Sequence, residues 1–261
     1  MKNAAIIYFS GTGNTRYLAH RIRHELNEIA SVCANISKPL NFASIINCCD
    51  FIFICYPVYG SAAPEPMELF IEKYAELIKG KNTGVVVTQA LFSGDGADFM
   101  ARKLKKLGAN VKCTEHFIMP DNESDVYQKA ISEEKITKIL NKTNKKITVF
   151  VSALKKDTYS FRGKNPIARL FGAIQREACK KYFPILKKNI KVDKKLCVGC
   201  GWCEENCPVG NMAVIDKTAV ASDKCVLCYR CVNGCKGKAI NIMGKNPPIC
   251  QYKGLSDRVI P

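Results

Sequence analysis

Short apolar runs alternate with stretches of helical periodicity through the first 150 residues. Runs such as FIFICY at 51–56 have the length and composition of buried strands, and apolar residues three and four positions apart predict amphipathic helices between them. The expected strands are 4–9, 31–36, 51–56, 84–89 and 111–119, and the expected helices are 14–30, 66–78 and 95–107. This alternation predicts an α/β fold with a doubly wound parallel sheet, which binds ligands outside the carboxyl ends of its strands.

The pattern changes after residue 125. Residues 126–140 predict a helix over the sheet, whereas 147–154 fit either a strand or more helix. Beyond them, an apolar stripe opposed by basic residues predicts an amphipathic helix that ends at Pro184. We expect this helix to pack between two domains, with docking to a membrane surface or an acidic partner as the alternative. The stripe is Ile167, Leu170, Phe171, Ile174 and Ala178, and the basic residues are Arg169, Arg176, Lys180 and Lys181.

The formal net charge of +17 is unevenly distributed. Residues 151–190 contain ten basic and two acidic residues, so this segment carries nearly half of the excess. A chain this basic favours acidic partners, either redox proteins or nucleic acid, but no nucleic-acid recognition motif supports the second. No apolar run is long enough to span a bilayer, and the first residues do not resemble a cleaved leader. We therefore expect a cytoplasmic protein.

Eight of the fifteen cysteines form two copies of the motif Cys-x2-Cys-x2-Cys-x3-Cys in the last seventy residues. Three cysteines at this spacing can wrap a cubane, whereas the fourth lies too far along the chain to close the same cube; in two-cluster ferredoxins it binds the other cluster. Zinc sites use well-separated cysteine pairs and do not fit this pattern. The spacing predicts two 4Fe-4S clusters, one held by Cys197, Cys200, Cys203 and Cys235 and the other by Cys225, Cys228, Cys231 and Cys207.

This region closely resembles the bacterial two-cluster ferredoxins, which are small α+β domains. Pro208 follows the first motif as it does in that family, whereas Lys236 stands where a second proline is usual. The change removes no ligand. Because the crossed ligands tie the two halves together, we do not expect this small domain to fold without its iron.

A glycine-rich loop joins the first strand to the first helix. Hydroxyls and backbone amides at a helix N-terminus form a phosphate cradle. A dinucleotide fingerprint would need a glycine at Arg16, and a nucleoside-triphosphate loop would need Gly-Lys-Ser/Thr; the chain has neither. This glycine-rich loop instead resembles the loop that holds the FMN phosphate in flavodoxins. Its residues are Ser10, Gly11, Thr12, Gly13, Asn14 and Thr15.

Two later loops strengthen this resemblance. Flavodoxins place an aromatic side chain against the isoalloxazine after the third strand, where Tyr59 stands here. Glycines after the fourth strand would let the backbone approach the ring, and Phe92 is a candidate for a second aromatic wall. Ordinary loop packing is the alternative for both. The resemblance implies cofactor binding by Pro57, Val58, Tyr59 and Gly60 and by Leu91, Phe92, Ser93, Gly94, Asp95 and Gly96.

Together, the two regions resemble the flavodoxin–ferredoxin fusion proteins of anaerobic bacteria. The expected domains are a flavodoxin-like FMN domain at 1–150, a basic helical connector at 151–190 and a two-cluster ferredoxin-like domain at 191–261. The family implies electron transfer between FMN, two 4Fe-4S clusters and acidic redox partners such as a ferredoxin or an oxidoreductase. The alternative is a reductase in which the clusters feed FMN and a quinone, nitro or unsaturated compound is reduced. Tyr59 or Asp95 would then be the proton donor, and no acid–base pair identifies a catalytic residue.

Overall fold

The computed structural model describes residues 1–129, 131–244 and 246–255. Its larger module contains one parallel five-stranded sheet. The strands are β1 Asn3–Tyr8, β2 Ala30–Asn35, β3 Phe51–Pro57, β4 Asn82–Gln89 and β5 Asn110–Ile118. They pair in the order β2-β1-β3-β4-β5. The predicted α/β fold is confirmed, and its topological switch point lies between β1 and β3, where doubly wound sheets bind ligands.

Helices cover both faces of this sheet. They are α1 Asn14–Leu26, α2 Phe42–Cys48, α3 Glu65–Lys73, α4 Ala75–Ile78, α5 Gly96–Lys106, α6 Ser124–Tyr127 and α7 Glu133–Lys155. Successive strand residues point to opposite faces, so Ile7 joins the core beneath α2 to α5 while Ile6 joins the core beneath α1 and α7. Both faces are therefore closed, which leaves the strand ends as the accessible edge.

Two local features differ from the sequence expectations, and a third resolves an alternative that the sequence left open. Helix α2 was not predicted; it begins after Asn41, whose Oδ1 accepts a hydrogen bond from the Ser44 amide at 3.1 Å. The expected helix at 66–78 is interrupted at Tyr74. The ambiguous segment at 147–154 is helical, because α7 continues to Lys155. The predicted domain boundary at residue 150 falls inside α7, and the division of the chain stays a prediction.

Helix α8, Pro166–Lys188, departs from its prediction in two ways. Pro184 lies inside the helix and does not end it. A proline removes one helical hydrogen bond, but Phe183 and Leu186 on either side pack into the core of the smaller module and hold the last turn. The helix packs against both modules, yet it does so through the face opposite its apolar stripe, which is exposed.

The smaller module is built from short elements around the cysteine motifs. They are β6 Lys191–Val192, α9 Trp202–Asn206, β7 Met212–Ile215, β8 Thr218–Ala221, α10 Arg230–Gly234 and β9 Ile240–Asn241. Strand β6 pairs with β9 and β7 with β8, both antiparallel. Most of its buried residues form their own core, but Val226 and Cys228 belong to the core of the larger module. The two modules are thus packed together at the second motif.

Across the described part of the chain, no helix combines the length and apolar character that crossing a membrane requires.

Candidate functional site

Three predicted cofactor loops meet at one edge of the sheet. The glycine-rich loop follows β1, the loop beginning at Val58 follows β3, whose last residue is Pro57, and the loop beginning at Ala90 follows β4. Since β1, β3 and β4 are adjacent and parallel, their carboxyl ends bring Ser10–Thr15, Pro57–Gly60 and Leu91–Gly96 together. This is the edge at which the fold binds ligands.

The glycine-rich loop has the form of an anion cradle. The buried Ser10 Oγ accepts hydrogen bonds from the amides of Gly13 at 3.2 Å and Arg16 at 3.3 Å, and Gly13 has a φ of 104°. Thr15 is buried and shares a hydrogen bond of 2.9 Å with Thr88. The first amides of α1 have no partner within the helix, so the loop fits a phosphate group.

Residues far away in sequence hold this loop from outside. The Asn122 side chain donates to Thr12 Oγ1 at 2.9 Å, and the Tyr252 hydroxyl donates to Asn14 Oδ1 at 2.6 Å. Asn14 itself donates to the Pro120 carbonyl at 2.8 Å. These partners follow β5 or lie in the C-terminal segment, and no local sequence signal identifies them.

The loop after β4 is shaped by a buried histidine. His116 Nε2 accepts the Ala97 amide at 3.2 Å, while Nδ1 lies 3.2 Å from Ser93 Oγ. The Ser93 hydroxyl in turn donates to Gln89 Oε1. Burial lowers the pKa of His116 to about 4, so the ring is neutral at pH 7 and can accept the Ala97 proton. Sequence reasoning did not find this residue.

Asp95, which directly precedes α5, connects the loop after β4 to two arginines. It is fully buried and forms ion pairs with Arg176 of α8 and with Arg102, the latter at 2.7 Å. Its side chain makes no capping hydrogen bond to α5. Guanidinium groups engage both oxygens of this buried carboxylate, so Asp95 holds α8 and α5 against the loop after β4.

The two aromatic candidates occupy different surroundings. Tyr59 is partly buried and exchanges two backbone hydrogen bonds with Ala62. Burial, with the nearby Cys228 thiol adding to it, raises the pKa of its phenol well above the ordinary value. Phe92 is 62% exposed and lies edge-on to Phe171 of α8, with ring centroids 6.1 Å apart. The flavin contacts of both residues stay predictions.

The eight motif cysteines line two separate small cavities. One is lined by Cys197, Cys200, Cys203 and Cys235, and the other by Cys207, Cys225, Cys228 and Cys231. Each cavity therefore draws one cysteine from the other motif, the grouping expected from the spacing. In the described ranges, no three His, Cys, Asp or Glu side chains lie close enough to share one metal ion. Four thiols around one cavity suit a cubane, each of whose irons takes one cysteine.

Backbone amides point at several of these sulfurs. The Asn211 amide donates to Cys207 Sγ at 3.1 Å, the Leu227 amide to Cys225 Sγ at 3.3 Å, and the Ala239 amide to Cys235 Sγ at 3.3 Å. Such bonds stabilise negative charge on cluster ligands. Burial raises the pKa of the Cys228 thiol to about 11, so coordination must supply the energy that deprotonates it.

The second cysteine cavity lies directly against the glycine-rich loop. A side-chain carbon on Gly11 would overlap the Cys228 carbonyl oxygen, so only glycine permits this approach. Arg230 spans the contact: its guanidinium donates to the carbonyls of Ser10 at 2.6 Å, Gly11 at 2.8 Å and Asn206 at 2.9 Å. The arginine thus connects the phosphate loop to both cysteine motifs.

A second contact fixes the same two modules. Asp125 is buried, and its Oδ2 accepts three backbone amides from the smaller module: Ile242 at 2.6 Å, Met243 at 3.0 Å and Gly244 at 3.1 Å. Next to it, the Ser124 hydroxyl donates to Asn233 Oδ1 at 2.6 Å. Charge-assisted bonds of this kind are stronger than neutral ones. They therefore hold the smaller module against the larger one.

A groove of about 910 Å³ opens beside these loops. Leu91, Met119, Glu123 and Tyr252 contribute to its wall. Burial raises the pKa of Glu123 to about 7, and the nearby Asp121 and Asp125 carboxylates add to the effect. The groove therefore contains a carboxyl group that exchanges a proton near neutral pH, which the sequence analysis did not identify.

Taken with the sheet order, these sites define a redox protein that joins a flavodoxin fold to an iron–sulfur module. Residues 5–174 match the family model of the flavodoxin domain, and residues 190–212 match that of the 4Fe-4S binding domain. The chain belongs to the flavodoxin domain family and is a flavodoxin–ferredoxin fusion. The flavodoxin match extends into α8.

Individual relatives cover parts of the chain. An uncharacterized ferredoxin of Methanocaldococcus jannaschii is 38% identical over 79 residues, which are 26% of this chain and 50% of that protein. The chain thus spans about half the length of this curated relative. A Fusobacterium nucleatum flavodoxin bound to FMN is similar at 19% identity over 60% of this chain and 99% of that one, with a TM-score of 0.44. A Megasphaera elsdenii flavodoxin is 26% identical over 43% and 84%, with a TM-score of 0.40.

Proposed function

We propose that this protein transfers electrons between FMN, two 4Fe-4S clusters and redox partner proteins. The loops after β1, β3 and β4 would hold FMN, and the two cavities would hold one cluster each through the cysteines that line them. When bound, FMN exchanges one or two electrons and each cluster exchanges one, so the set can link two-electron and one-electron reactions.

The contact between Gly11 and Cys228 carries this proposal. It joins the phosphate loop to a cysteine of the second cavity without any intervening side chain. Arg230, two residues after Cys228, donates to the carbonyls of Ser10 and Gly11 and so holds the second cysteine motif against the phosphate loop. The residues of this chain would therefore hold the two proposed cofactor sites in contact with each other.

The other cysteine cavity supports a docking role for the smaller module. Cys200 is exposed, and the neighbouring Val198 is 69% exposed. Lys194, Lys195 and Lys217 are exposed around the same loop. Opposite charge steers association and raises its rate more than its affinity, so an acidic electron carrier such as a ferredoxin is the partner we propose.

The experiment mixes a reduced acidic ferredoxin with the anaerobic holo-protein and follows flavin bleaching by stopped-flow absorbance. We expect bleaching that slows as ionic strength rises, and on the order of tenfold slower bleaching in Lys194→Glu/Lys195→Glu at low salt. Lys142→Glu, an exposed charge change on α7, should behave as the wild type. An unchanged rate in the double variant would contradict docking at this face, and absence of bleaching would contradict the function.

A second candidate function is favoured by Glu123. Reduction of a small molecule at a flavin needs a proton donor beside an open groove, and Glu123 supplies a carboxyl with a pKa of about 7 in such a groove. For a reductase, Glu123→Gln should lower turnover of a quinone or nitro compound and flatten its pH profile near neutrality. Equal turnover and profile in the variant would remove the reason for preferring this function.

A further inference from the structure

The apolar stripe of α8 faces outward. Six large side chains on one face of the helix are more than half exposed: Ile167 69%, Leu170 62%, Phe171 53%, Ile174 59%, Tyr182 65% and Ile185 64%. Counted from Ile167, they lie 3, 4, 7, 15 and 18 residues further along the helix, and the exposed Ala178 fills the gap at 11, so together they form one row on one face. At 1.5 Å per residue this row is about 27 Å long.

The opposite face of α8 fixes this orientation. Arg176 pairs with the buried Asp95, and Arg169 pairs with Asp98 at 2.9 Å. Gly172 lies against Gly94, where a side-chain carbon on either residue would overlap the other chain segment. Rolling the stripe inward would separate the buried Asp95 from Arg176 and leave it with Arg102 alone, and breaking a buried ion pair is unfavourable. The packing of the opposite face therefore keeps the apolar row exposed.

The row is continuous with the loop after β4. Phe92 contacts Phe171 edge-on, and Leu91 beside it is 80% exposed. We name these two residues and the six of the row the α8 patch. Contiguous apolar surfaces of this size are uncommon on soluble monomers and mark sites of interaction.

Positive charges border the α8 patch at both ends. Arg162 and Lys164 are exposed before the helix, and Lys180, Lys181 and Lys188 are exposed along its second half. Glu177 is the single acidic residue of α8, and it is paired with Lys180 at 3.0 Å. Apposing two copies of the patch would bring these lysines together, so the charge pattern disfavours a second copy of this chain as the occupant.

We propose that the α8 patch binds the surface of an anionic lipid bilayer. A helix with Phe, Leu and Ile on one face and lysines at its borders lies in the plane of the interface, with its apolar side chains between the headgroups. Anionic headgroups attract the bordering lysines. The inference does not depend on the cofactors, and it would place the Leu91–Phe92 loop at the lipid surface.

The test is co-sedimentation of the anaerobic holo-protein with vesicles of equal parts phosphatidylglycerol and phosphatidylcholine. We expect binding that weakens with added salt and that falls at least about tenfold on vesicles of phosphatidylcholine alone. Leu170→Ser/Ile174→Ser should reduce binding about tenfold, and Lys180→Gln/Lys181→Gln/Lys188→Gln should reduce both binding and its salt dependence. Val149→Ser removes an equally exposed apolar residue of α7 and should bind as the wild type.

Flavin and iron content equal to the wild type would establish that each variant is folded. Absence of vesicle binding by the wild type would overturn the proposal, as would a serine variant that binds unchanged. Light scattering on the same samples distinguishes another occupant: a wild-type dimer that the serine variant converts to monomer, without vesicle binding, would assign the patch to a second copy. Loss of ferredoxin-dependent bleaching alone would assign it to an acidic protein.

Discussion

At the scale of single residues, Arg230 connects three segments that lie far apart in the sequence. It donates to three carbonyls that belong to the phosphate loop and the first cysteine motif, while Arg230 itself lies within the second motif. A guanidinium can make several directed bonds at once, which lysine cannot. The local pattern around residue 230 gives no indication of these partners, because the phosphate loop lies more than two hundred positions away.

Replacing Arg230 tests its influence on the phosphate loop. We expect Arg230→Gln to weaken FMN binding about tenfold, since loss of charge-assisted bonds costs about 1.5–3 kcal/mol and part of this appears in the loop. Fluorescence titration of flavin-depleted protein measures the dissociation constant. Lys236→Gln, an exposed cation beside the same motif, should leave the constant unchanged; equal constants in both variants would contradict the role.

His116 makes stability depend on pH. Its pKa is lowered to about 4 by burial, against an ordinary value near 6.5. Between these values the unfolded chain binds a proton that the folded chain does not, so stability falls as pH drops below about 6.5. The wild type should lose about 2 kcal/mol of unfolding free energy from this residue between pH 7.5 and 5.

The control for this prediction is His116→Gln, which keeps an acceptor for the Ala97 amide but does not protonate. Anaerobic denaturation of both holo-proteins at the two pH values gives the comparison. Any acid effect on cluster ligands is common to both. If the variant loses as much stability as the wild type, His116 does not titrate in the manner described.

At the scale of elements, the strands and α1 follow from sequence because their patterns are strong and local. The hydrophobic pattern does not predict α2, because its seven residues are too few to show a helical period. The local signal for this helix is its N-cap residue, Asn41. The orientation of α8 could not be predicted from amphipathicity alone. Ion pairs with the buried Asp95 and Asp98 decide which face packs, and these partners lie 81 and 71 residues earlier in the chain.

The ion pair between α8 and the loop after β4 should be important for stability. Asp95→Asn keeps the shape but leaves Arg176 and Arg102 without their buried counter-charge, so we expect a loss of about 3 kcal/mol in unfolding free energy. Glu177→Gln removes an exposed pair and should change it by less than about 0.5 kcal/mol. Anaerobic chemical denaturation measures both; similar small losses would show that α8 is not held by this pair.

At the scale of the whole molecule, the two modules meet in an interface that neither sequence motif predicts. The motifs identify the loops and the cysteines, because ligand spacing is local. The closeness of Gly11 to Cys228 and the Asp125 contacts with residues 242–244 arise from tertiary packing between distant segments. The sequence therefore predicts the cofactor of each module, and the structure adds how the two modules are joined.

The crossed grouping of cysteines gives a test at this scale. If each cavity holds one cluster, Cys207→Ala should share its iron loss and electron paramagnetic resonance spectrum with Cys231→Ala, and Cys235→Ala should share its spectrum with Cys200→Ala. Grouping within each motif would pair Cys207 with Cys200 instead. Cys48→Ala, an exposed cysteine outside both motifs, should retain the wild-type spectrum.

The most direct measurement is the cofactor content of the anaerobically purified protein. Two cubanes and one phosphate loop predict about eight iron, about eight acid-labile sulfide and one FMN per chain. About four iron would leave one cysteine cavity without a cluster. Zinc in place of iron, or protein that retains no FMN, would contradict the account.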